Sequence, residues 1–97
     1  MAMTEMNYMS GGGGNITETE QTLTYNQTAT HSGTNIVYAV EYTAVHTVYA
    51  FGYVDNGTLN ELVNQDTSSY IVGYNNGELS IRLNANITAK VYFIDLG

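Results

Sequence analysis

From Asn15 onward the side chains alternate with a period of two, in short runs broken by Asn and Gly. A strand sends successive side chains to opposite faces, so this period specifies β-strands and argues against helices. Ile36, Tyr38, Val40 and Tyr42 share one face of a strand over Ile36–Thr43. A second run, Val45–Val54, sets Val45, Thr47, Tyr49, Phe51 and Tyr53 against His46, Val48, Ala50, Gly52 and Val54. The small residues Ala50 and Gly52 predict close packing on that second face. Asp55-Asn56-Gly57 and Asn75-Asn76-Gly77 each separate two such runs. Asn-Gly at that place predicts a tight hairpin, because both residues tolerate positive φ. The strands expected around these turns are Thr58–Val63, Tyr70–Tyr74 and Glu78–Leu83, with Ile87–Leu96 closing the chain.

Before them, Ile16–Leu23 alternates but is polar on both faces, which predicts an edge strand. Asn26–Thr34, with His31 and Gly33, is expected to be a polar loop. The one helix-like fragment, Leu59–Val63, is too short to be stable alone. About seven strands with Asn/Gly turns predict an all-β fold, an antiparallel β-sandwich of short jelly-roll-like form. It is expected to span residues 15–97. Residues 1–14 are expected to form a separate extended N-terminal arm, in which Met1, Met3, Met6, Tyr8 and Met9 supply apolar side chains and Gly11, Gly12, Gly13 and Gly14 a hinge.

Composition narrows the function classes. Only two of the 97 residues are basic, Arg82 and Lys90, against nine acidic ones, for a formal net charge of −7. Such a chain has no cationic surface for nucleic acid or for anionic lipid. There is no Cys, which excludes disulfides and thiol chemistry. The apolar run Ile36–Val54 contains Glu41 and His46, whose cost at a bilayer centre argues against a membrane span. The residues after Met1 form neither a basic nor an apolar signal region, so the expectation is synthesis in a cytoplasm without secretion. The chain also has no Pro. Unbroken strands without Pro need some other cover for their edges, and subunit packing is one such cover.

No arrangement of residues specifies a reaction. His31, His46 and Glu41 could hold a metal only if a turn brought Glu41 beside His46; otherwise the two lie on opposite faces of one strand. The glycine run lacks the Lys of a phosphate loop, and no Ser stands in a Gly-x-Ser-x-Gly setting. The expectation is a protein that is not an enzyme and carries no metal or cofactor. Tyr-rich strands suit subunit interfaces, where an amphipathic ring tolerates burial. They also suit sugar recognition, with rings stacking on the pyranose and Asn or Asp holding its hydroxyls. Tyr49, Phe51, Tyr53 and Tyr92 are the expected oligomer interface or ligand face.

The run Tyr42-Thr43-Ala44, Val48-Tyr49-Ala50-Phe51-Gly52-Tyr53, Ile81-Arg82-Leu83 and Ile87–Ile94 resembles small tailed-bacteriophage virion proteins. Their β domains are similar to the trimeric jelly rolls of the tumour-necrosis-factor and complement globular-head group. The opening residues and the glycine run at Gly11–Gly14 are similar to short phage fibre or decoration proteins. The resemblance covers about two-thirds of the chain. It implies a homotrimeric head fibre or capsid decoration subunit, located on the virion and docked on a capsid or other virion protein through its arm. The domain is short for a full jelly roll. The alternatives are a carbohydrate-binding tip module for host surfaces and a filament subunit built by N-terminal strand addition.

Overall fold

The computed structural model describes residues 16–97. The arm residues Met1, Met3, Met6, Tyr8 and Met9 and the hinge Gly11, Gly12, Gly13 and Gly14 lie outside the described residues.

Eight strands follow one another: β1 (Thr17–Leu23), β2 (Thr28–Ser32), β3 (Ile36–Tyr42), β4 (Thr47–Asp55), β5 (Thr58–Asn64), β6 (Tyr70–Asn75), β7 (Glu78–Leu83) and β8 (Ala89–Asp95). They form two antiparallel sheets, one of five strands in the order β1-β8-β3-β4-β5 and one of three in the order β2-β7-β6. The fold is an all-β sandwich, as the period-two pattern predicts. β1 with β8 and β2 with β7 pair the start of the chain to its end, in the manner of a jelly roll. β3, β4 and β5 stay in one sheet as a meander, which keeps the roll short.

The core lies between the sheets. Ile36, Tyr38, Val40 and Tyr42 of β3 and Ala89, Val91 and Phe93 of β8 face Leu79, Ile81 and Leu83 of β7. Leu23 is fully buried where β1 ends and the chain turns to the other sheet. β1 is otherwise exposed along its length, which fits its place at a sheet edge.

Both Asn-Gly turns are present. Asn56 (φ 50°) and Gly57 (φ 84°) join β4 to β5, and Asn76 (φ 52°) and Gly77 (φ 76°) join β6 to β7. Positive φ at both central residues has the right twist for a two-residue hairpin. The close packing expected at Ala50 and Gly52 is also found. A Cβ on Gly52 would stand 2.3 Å from the Asn60 carbonyl oxygen and 2.6 Å from the Tyr38 hydroxyl.

Two expectations need correction. The segment predicted as a loop over Asn26–Thr34 contains β2, paired in register with β7 from Thr28–Arg82 to Ser32–Glu78. Thr-Ala-Thr-His-Ser buries only Ala29 fully, so an edge strand of the smaller sheet carries almost no apolar signal. The alternation assigned to Val45–Val54 also fails at one point. Val40 pairs with Ala50 but Glu41 with Val48, so Tyr49 is the extra residue of a β-bulge. A bulge shifts the alternation by one. Val48 therefore joins the outer face with Phe51 and Tyr53, and Tyr49 turns inward onto the core.

Candidate functional site

The two sheets present different outer faces. On the three-stranded sheet the outward positions form the rows Thr28-Arg82-Ile71, Thr30-Ser80-Gly73 and Ser32-Glu78-Asn75. Eight of these nine are polar or Gly, as expected of an antiparallel sheet with one face in water. The Arg82 guanidinium donates to the Asn26 side-chain oxygen at its margin.

The outer face of the five-stranded sheet is apolar at its centre. One row runs Glu20-Tyr92-Ala39-Phe51-Val63 across all five strands, and the next runs Glu18-Ile94-Val37-Tyr53-Asn60. A third row is Thr22-Lys90-Glu41-Val48. Phe51 is 38% exposed and Val48 46%. Sequence shows why: in β3, Ile36-Val37-Tyr38-Ala39-Val40 is apolar at every position, the pattern of a strand covered on both faces. Five strands about 4.8 Å apart make the face roughly 20 Å wide, and eight of the fourteen residues in these rows are apolar or aromatic. A contiguous apolar patch on a monomer's surface is often functional.

Along one margin of this face charged groups stand beside partners. The Tyr92 hydroxyl donates to Glu41 Oε1 at 2.9 Å. Lys90 Nζ lies 3.5 Å from Glu20 Oε2, and His46 Nδ1 lies 3.9 Å from Glu41 Oε2. Partnered charges cost less to bury than free ones. The Tyr92 phenol is pushed up to about 12, first by loss of hydration and then by the bonded Glu41 carboxylate.

Three of the four residues expected on the interface, Phe51, Tyr53 and Tyr92, stand together on this face. Tyr49 does not. Its ring stacks on Tyr42, with centroids 3.9 Å apart and planes within 13°. The Tyr42 hydroxyl donates to Asp66 Oδ2 at 3.1 Å, and its pKa is raised to about 12, chiefly by burial. Val37, Val48, Val63 and Ile94 also belong to the face, beyond the four aromatics expected there. The uniform apolarity of β3 was the available signal.

The turn of Thr43–His46 does bring His46 to Glu41. His31 is elsewhere: it bonds Asp95, which pairs with Ile36, whereas His46 follows Tyr42 at the opposite end of β3. About 20 Å of strand separates those ends. Among the described residues no group of three or more His, Asp or Glu side chains is placed to hold a metal. No helix there is long and apolar enough to cross a membrane. The arrangement offers an apolar sheet face with a partly neutralised margin, which is chemistry for contact between surfaces. No protein-family model, curated protein or solved structure matches the chain.

Proposed function

We propose that the chain is a non-enzymatic assembly subunit that self-associates through the outer face of its five-stranded sheet. The observation that carries this reading is the contrast between the two outer faces. One is polar like a solvated sheet, and the other presents Val37, Phe51, Tyr53, Tyr92 and Ile94 together. A second copy is favoured as the occupant because most soluble oligomers are homo-oligomers. A ring of three copies lets each chain contact two neighbours.

The narrower form of the proposal follows the resemblance to tailed-bacteriophage virion proteins. In it the chain is a head fibre or decoration subunit, a homotrimer that docks on the particle through residues 1–14. Its mechanism is geometric: modest contacts are multiplied by copy number. The competing filament reading has edges to use, since β1, β5, β2 and β6 each end a sheet. Deleting residues 1–14 separates the two. The proposal expects the oligomer to persist and particle attachment to be lost. A filament built by strand addition would fall apart instead.

A further inference from the structure

A cavity of about 360 Å³ opens at one end of the sandwich. It lies between the β3–β4 turn and the segment leading into β8. That volume is within the usual range of small-molecule sites, roughly 300–1,000 Å³. Its aromatic wall exists because the bulge turns Tyr49 inward, where the ring is backed by Tyr42 and half-exposed. Val45, 57% exposed, and the half-buried Ile87 add apolar surface. Asn86 and Thr88, both exposed, complete the lining and carry an amide and a hydroxyl.

Charge decides the ligand class. None of the eight residues around the cavity is charged. A protein of net charge −7 repels anions at long range, and the lining has no carboxylate to hold a cation. What remains is a neutral molecule with an apolar face and a polar edge. An aromatic ring beside an amide and a hydroxyl matches a pyranose, whose C–H face stacks on the ring while its hydroxyls need donors and acceptors.

We propose that this cavity binds a neutral sugar ring, stacked on Tyr49 and held at its hydroxyls by Asn86 and Thr88. Tyr49 is the one aromatic of the expected set that the bulge turns away from the assembly face.

The test is titration of the labelled full chain with methyl glucoside, methyl galactoside, methyl mannoside and N-acetylglucosamine, followed by proton–nitrogen correlation spectra. The proposal expects saturable shifts for at least one sugar, confined to residues 42–49 and 86–88. Asn86→Ala, at an exposed position, weakens binding about tenfold, the effect of one lost hydrogen bond of about 1.4 kcal/mol. Tyr49→Ala abolishes binding, Tyr49→Phe retains it, and Phe51→Glu leaves it unchanged. The proposal is overturned by the absence of saturable shifts with all four sugars. It is equally overturned by shifts centred on Phe51 and Tyr92, or by affinity that Asn86→Ala and Tyr49→Ala leave unchanged.

Discussion

His31 Nε2 lies 2.9 Å from Asp95 Oδ2, and this bond ties the three-stranded sheet to the five-stranded one. The same imidazole stacks on Phe93, with ring centroids 5.5 Å apart. Both partners are partly shielded, with side-chain exposures of 19% and 24%. His31→Ala therefore costs about 1–2 kcal/mol of stability, the worth of a shielded hydrogen bond with its packing. Lys90→Ala breaks an ion pair whose side chains are 41% and 48% exposed, and costs under about 0.5 kcal/mol. Urea unfolding of the two variants, compared at equal slope, checks the ranking.

Tyr38 is buried and its hydroxyl has no hydrogen-bond partner among the described residues. Burial keeps its phenol protonated well beyond the ordinary range. Tyr38→Phe removes an unpaired polar atom and leaves the ring, so stability is unchanged or rises by up to about 1 kcal/mol. The neighbouring position behaves oppositely. Gly52→Ala drives a methyl into the Asn60 backbone and the Tyr38 ring, and costs about 3 kcal/mol or prevents folding. Thermal unfolding of both variants checks this pair.

Alkaline pH should destabilise the fold. Tyr42 and Tyr92 are raised to about 12 from an ordinary value of 10.0, and Tyr38 and Tyr70 are raised as well. Burial is the largest cause in each case. Above pH 10 the unfolded chain releases these protons while the folded one keeps them, so stability falls as pH rises. The stabilisation is complete below pH 10 and is lost progressively through pH 12. Phenolate absorbance followed together with circular dichroism tests this, with part of the phenolate signal appearing only as the sheets melt. Tyr92→Phe, which also removes the bond to Glu41, makes the dependence shallower.

Much of this architecture is legible in the residues. Asn56-Gly57 and Asn76-Gly77 announce two hairpins because their backbones must take positive φ. Ala50 and Gly52 announce a close approach, which proves to be that of Tyr38 and the β5 backbone. Three things are not legible. β2 hides because a short edge strand needs few apolar residues. The bulge at Tyr49 hides because alternation reads straight through it, although it decides which aromatics share a face. Strand order hides because β1–β8 and β2–β7 are pairings between distant segments. For the site, Tyr49, Phe51, Tyr53 and Tyr92 read as one set in sequence, whereas the structure puts Phe51, Tyr53 and Tyr92 on one outer face beside Val37 and Val63 and turns Tyr49 inward.

Association through the five-stranded sheet is the central claim, and the mass of the full-length chain in solution tests it most directly. Sedimentation equilibrium over micromolar concentrations should give the mass of three chains. Phe51→Glu places a charge at the centre of the face and costs the contact about 2 kcal/mol or more, as truncation of an interface anchor does. That variant should sediment as a single chain with an unchanged circular dichroism spectrum. A single-chain mass for the unaltered protein across the whole concentration range, or an oligomer that Phe51→Glu leaves intact, would contradict the account.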